Sequence, residues 1–278
     1  MDAIYDSVCR KCSELITKSY STSFSLGIKV FDYKFRAPIY AVYGFVRFAD
    51  EIVDTYKGED AGALLQNFRE ATFCAIKDGI SLNPILHSFQ EVVNRYQIEH
   101  ELIHAFLDSM EMDLYKFDHD EDSYKKYIYG SAEVVGLMCL HVFIDKDKEY
   151  YNRLVTPACA LGSAFQKVNF LRDIKSDFEE RGRVYFPDVD FSKFCEADKQ
   201  KIEADIQSEF DLAHQGIIQL PKGVRFGVYS AYRYYLSLFN KIKNSPPRAI
   251  LNDRVRIPNR YKLYLLTESA FKNSLNML

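Results

Sequence analysis

The sequence predicts one all-α domain covering residues 1–278. Three observations carry this. Apolar residues recur at i, i+3, i+4 and i+7 through most of the chain, the period of a half-buried helix. No run alternates apolar and polar residues between hairpin turns, as strands would. The chain has 278 residues, 47% of them hydrophobic, enough for a large core, and it contains no internal repeat, low-complexity segment or linker-like shift in composition.

The elements follow in order. Residues 3–19 read as a first helix. A polar Ser/Thr stretch at 19–25 and a loop around 27–34 come next. A long helix is predicted over 36–56, with Pro38 tolerated in its first turn, and Gly58 to Gly62 breaks it. Helices are then expected over 61–77, 84–96, 99–116, 122–144 and 147–179, with Pro157 kinking or splitting the last. Residues 182–190 read as a loop, followed by helices over 196–219 and 221–243. Asn244, Ser245, Pro246 and Pro247 form a breaker, and a final helix is expected over 258–276.

Bulk properties exclude several functions. The net charge is −3, and the Lys and Arg residues are scattered, so no nucleic-acid footprint is present. The N-terminus lacks the apolar stretch of a signal peptide. The longest nearly uncharged apolar run, Val134 to Ile144, is about half the roughly 20 residues of a spanning helix. The expectation is a cytoplasmic protein. Cys9 and Cys12 form a CxxC without a second ligand pair, so the six cysteines read as reduced thiols. The six histidines show no metal spacing except His100/His104, which lacks a third ligand. Asp118 to Asp122 reads as a solvated acidic loop. Twenty Tyr and 21 Phe, with no Trp, are mostly core but can also line an apolar cavity.

Two acidic clusters carry the chemistry. Asp50 and Asp54 are i, i+4 on a helix, about 6 Å apart along its axis, with Arg47 one turn earlier. Asn169, Asp173 and Asp177 make a second stripe at i, i+4, i+8, extended by Gln166 and flanked by Arg172. Paired carboxylates repel, and the apolar neighbours (Phe45, Ile52, Val168, Leu171 among them) place both helices inside the fold. A cation must therefore neutralise them. Oxygen-only ligands select a hard ion, Mg²⁺ with Mn²⁺ as a substitute, which completes its shell with water and phosphate oxygens. A lone DxxxD is commonly a solvated helix face; two such stripes, each beside an Arg, favour a metal–diphosphate site.

The same residues resemble the squalene/phytoene synthase family over about residues 5–270. The motifs are Ser21 to Phe24, Ala41 to Asp54, Tyr129 to Gly136, and Gln166 to Pro187 with its Arg183, Tyr185 and Pro187. Spacing alone would equally suit a head-to-tail prenyl synthase or a terpene cyclase; the flanking motifs point to head-to-head condensation.

The resemblance implies an isoprenoid-synthase helical bundle around a central cavity. It implies condensation of two prenyl diphosphates, most like a bacterial phytoene synthase of carotenoid biosynthesis using geranylgeranyl diphosphate. The alternative is a squalene or dehydrosqualene synthase using farnesyl diphosphate. It further implies that Asp50, Asp54, Asn169, Asp173 and Asp177 bind Mg²⁺ and diphosphate. Ser21, Ser23, Arg47, Gln166, Arg172, Tyr235 and Arg254 are expected near phosphates or prenyl chains. Tyr129 is expected to face the cation by its ring or hydroxyl, with an ordinary core Tyr as the other reading. Gly130 and Gly136 would admit a prenyl chain or serve helix packing. Arg181, Arg183 and Tyr185 would form a flap over the phosphates, with a merely solvated Arg181 and Arg183 as the other reading. Ser21 and Ser23 could instead cap a helix. No nicotinamide cofactor is expected. A non-catalytic assembly factor would be expected to have lost the acidic ligands, and all five stand here. An insoluble product predicts transient peripheral contact with the inner face of a membrane.

Overall fold

The helices follow one another as α1 (Ala3–Tyr20), α2 (Thr22–Lys29), α3 (Tyr33–Asp54), α4 (Ala61–Asp78), α5 (Pro84–Tyr96), α6 (His100–Tyr115), α7 (Glu121–Ile128), α8 (Val134–Ile144), α9 (Lys148–Lys175), α10 (Glu196–Ile217), α11 (Lys222–Lys243) and α12 (Pro247–Asn252). A five-residue π-turn, Tyr129–Glu133, joins α7 to α8. The computed structural model describes residues 3–56, 60–115, 118–175, 183–187, 189, 193–252, 254–258, 260 and 267–269, less the side chains of residues 23 and 252.

Most boundaries fall where periodicity places them, and the differences have physical causes. The polar stretch at 19–25 is not a linker. Ser21 caps α2, its side chain accepting from the Phe24 N–H at 3.2 Å. The Ser25 hydroxyl donates to the Ser21 carbonyl at 2.6 Å, so these polar groups are satisfied locally. α3 begins at Tyr33, three residues early, which leaves Pro38 inside the helix and buried. α9 runs through Pro157 as one helix. Pro247 starts the short α12, where its missing N–H costs nothing. The acidic run at 118–122 is partly structural, because Asp120 caps α7 by accepting from the Ser123 N–H at 2.8 Å. The expected final helix lies almost wholly outside the described residues, although 267–269 are helical.

The buried apolar side chains form two cores. One joins α3, α4, α5, α6 and α8, with Phe45 stacked on Phe89 at 3.9 Å. The other joins α7, α9, α10 and α11. The run Glu121–Ile144 is long and apolar enough to cross a membrane. However, 61% of its apolar window is buried inside the protein, and Val134, Met138 and Val142 are fully enclosed, as in a core helix.

Gly130 belongs to this packing rather than to the cavity. A Cβ there would lie 2.4 Å from the Ala105 carbonyl oxygen and 2.7 Å from the Ser109 Cβ, so α6 and the π-turn touch backbone to backbone. Gly130→Ala is expected to destabilise the fold by about 1–3 kcal/mol through overpacking. Thermal unfolding would show this as a Tm several degrees lower.

Candidate active site

Between the two cores lies a cavity of about 410 Å³. α2, α3, α8, α9, α10 and α11 all contribute to its wall, and none of its lining residues carries a charge. Phe31, Phe143, Leu154 and Leu220 line one part. Tyr43, Gln166, Asn169, Tyr234 and Tyr235 bring the polar atoms. Gly136 lines it too, and a Cβ there would come within 3.2 Å of the Ala158 carbonyl.

Two helical stripes lead out of this cavity. On α3, Tyr43 lines it, and Arg47, Asp50 and Asp54 follow on the same face at steps of four, three and four. On α9, Gly162, Gln166 and Asn169 line it, and Asp173 follows at the same steps. The acids therefore stand about one to three turns beyond the cavity residues of their stripes. Asp177 and Arg181 lie outside the described residues.

Every described carboxylate of the two stripes meets a guanidinium. Arg47 pairs with Asp50 and Glu51, and its guanidinium sits 4.3 Å from the centre of the Tyr20 ring. Arg183 Nη1 reaches Asp54 Oδ1 at 3.4 Å. Asp173 receives two arginines, Arg172 Nη2 at 2.5 Å and Arg254 Nε at 2.7 Å. Arg254 thus falls on the second cluster although it follows the breaker at 244–247. Side-chain exposures of 33%, 19% and 17% for Asp50, Asp54 and Asp173 leave all three reachable by a ligand.

The donor set suits a hard divalent ion. Asp50, Asp54, Asn169 and Asp173 offer only oxygen, and the buried Asn169 Oδ1 accepts no hydrogen bond. A second convergence, Asp6, His87 and Glu91, does not suit a metal. His87 Nδ1 accepts from the Ser81 N–H at 3.3 Å, so Nε2 carries the proton and donates to Asp6 at 3.1 Å.

The remaining predicted residues divide. Tyr235 lines the cavity, stacked on Phe165 at 3.9 Å beside Arg172 and Asn169, and burial raises its hydroxyl pKa. Gln166 lines the cavity as well. Ser21 caps α2 and approaches the Tyr43 hydroxyl. The side chain of Ser23 is outside the described residues. Tyr185 is buried and stacks on Phe170 at 4.0 Å rather than lining the cavity.

Tyr129 is 40% exposed and absent from the cavity wall, where Ser131, Ala132 and Val135 stand instead. Residues two apart on a helix point to nearly opposite sides, so burial of Tyr127 turns Tyr129 outward. Tyr127 meets a residue to which sequence reading assigned nothing, Asp113 of α6. Its hydroxyl donates to Asp113 Oδ2 at 2.9 Å. Burial pushes the Asp113 carboxyl up to about 7, against the opposing pull of Arg183 and the Tyr127 hydroxyl.

A family model described as squalene/phytoene synthase matches residues 17–261. The phytoene synthase of Arthrospira platensis is 26% identical, with 93% of this chain and 90% of that one aligned. The chloroplastic phytoene synthase 1 of Arabidopsis thaliana is 27% identical over 84% of this chain, which spans 59% of that relative's length. A solved dehydrosqualene synthase superposes with a TM-score of 0.82 at 21% identity, covering 97% of this chain and 98% of that one. A squalene synthase from Alicyclobacillus acidocaldarius superposes at 0.74 with 21% identity, covering 90% and 95%. These two show likeness of fold. The match of 17–261 to the family model, together with the relatives' names, makes this chain a member of the squalene/phytoene synthase family of prenyltransferases.

Proposed function

We propose that the protein condenses two geranylgeranyl diphosphates head to head into phytoene, with Mg²⁺ as the activating ion. The observation that carries this reading is an uncharged cavity flanked by carboxylates that are each held by arginine. An amphiphile with an anionic head and a long hydrocarbon tail fits that polarity. Curated relatives at 26% and 27% identity bear the name phytoene synthase, which favours the C20 substrate.

Mg²⁺ held by Asp50, Asp54, Asn169 and Asp173 would supply Lewis-acid neutralisation of the departing diphosphate. Arg47, Arg172, Arg183 and Arg254 add charge-assisted hydrogen bonds to its oxygens and orient it at the polar end. The C1–O bond of one substrate breaks, and the electron pair leaves with diphosphate. The 2,3-alkene of the second substrate attacks C1, and loss of a proton closes a cyclopropylcarbinyl diphosphate. A second C–O ionisation, ring rearrangement and loss of another proton give phytoene. Phe165 and Tyr235, stacked on each other, both line the cavity where cationic carbon would pass. The apolar wall excludes water, which would capture each cation as an alcohol.

Product mass tests the reading. Incubation with Mg²⁺ and each diphosphate is expected to give a C40 hydrocarbon from the C20 substrate, with no requirement for NADPH. A C30 product from the C15 substrate, with no C40 product from the C20 one, would identify a dehydrosqualene or squalene synthase.

A further inference from the structure

The segment after the second stripe returns to the bundle at residues 183–187, and its anchor is Asp113. The Asp113 carboxylate is 7% exposed and gathers three side chains. Tyr127 donates to Oδ2 at 2.9 Å, Tyr185 donates to Oδ1 at 3.4 Å, and Arg183 Nη1 lies 3.6 Å from Oδ1. Arg183 Nη2 also donates to the Asp113 main-chain carbonyl at 2.8 Å. The same Nη1 is 3.4 Å from Asp54 Oδ1. A backbone bridge between Asp118 and Val184 and the stacking of Tyr185 on Phe170 hold the segment from either side.

We infer that Asp113 is a positioning residue that aims the Arg183 guanidinium at Asp54 and at the diphosphate bound there. A guanidinium is a rigid planar fork, so fixing one edge on Asp113 sets the direction of the other. The fork uses Nη2 on the main-chain carbonyl and leaves Nη1 between two carboxylates that compete for it. A diphosphate oxygen arriving beside Asp54 meets a donor already oriented, which lowers the entropy lost on binding. Asp113 itself acts only through Arg183. This inference rests on the diphosphate reading of the site.

The test is a double-mutant cycle on the full chain, with inorganic diphosphate in saturating Mg²⁺ titrated by calorimetry. Arg183→Gln and Asp113→Asn are each expected to weaken binding about tenfold or more, the loss of one charge-assisted contact. The double variant is expected to bind no more weakly than Arg183→Gln alone, with Tm and far-UV circular dichroism recorded throughout. Should Asp113→Asn not fold, Tyr127→Phe takes its place, with about a threefold loss that vanishes in the Arg183→Gln background. Wild-type affinity in the Asp113 or Tyr127 variant, or losses that multiply in the double variant, would overturn the assignment. Wild-type protein that binds no Mg²⁺–diphosphate would overturn the site reading and the role of Asp113 together.

Discussion

Replacing Asp173 with alanine is expected to lower turnover of prenyl diphosphate by about 10²–10⁴-fold while the helices stay folded. Asp173 is where two arginines meet, Arg172 from the same helix and Arg254 from beyond α12. On the proposed reading its removal deletes one oxygen ligand and leaves both guanidinium groups without the carboxylate that holds them, so ionisation of an allylic diphosphate would lose metal neutralisation and oriented hydrogen bonds at once. Asp50→Ala deletes a proposed ligand and removes one of the two carboxylates on Arg47, which keeps Glu51 as a partner. Its loss should therefore be the smaller of the two. Steady-state kinetics at saturating Mg²⁺ would measure both. Activity of Asp173→Ala within tenfold of wild type, with unchanged circular dichroism, would refute the ligand assignment.

Ala158→Phe is expected to abolish turnover of the longer prenyl diphosphate, by more than about 100-fold, while sparing diphosphate binding. Ala158 lines the cavity on α9, three turns before Asn169, where Gly136 lets α8 pack closely against it. A phenyl ring there fills space that the tail would occupy. The arginine and carboxylate contacts lie further along the helix and are untouched. The signature is a loss confined to substrates with a hydrocarbon tail, read by comparing C10, C15 and C20 diphosphates with inorganic diphosphate. Equal losses for all four would show that the ring had disturbed the polar end instead.

Periodicity was enough to expect the long helices, because each buries one face against a neighbour and the stripe is written in the residues. α2 escaped that reading because its polar residues dominate the count. Ser21 and Ser25 turn out to satisfy the backbone, and Phe24 and Ile28, four residues apart, face the cavity. The π-turn had no sequence signal beyond Gly130, since one additional residue in a helical turn changes no composition. Spacing singled out Asp50, Asp54, Asn169 and Asp173 as candidate ligands, because i, i+4 geometry is local. Asp113 could not be found this way: its partner Arg183 is 70 residues away, and a single Asp in an amphipathic helix looks like surface.

The cavity runs along the seam between two cores, and each core closes its own aromatic contacts, Phe45 on Phe89 in one and Phe170 on Tyr185 in the other. α9 nevertheless carries Leu154 into the first core and Val168 into the second, so it ties the two across the seam and only local opening is cheap compared with global unfolding. Amide exchange should be fastest in the short α2, which packs between α3 and α11.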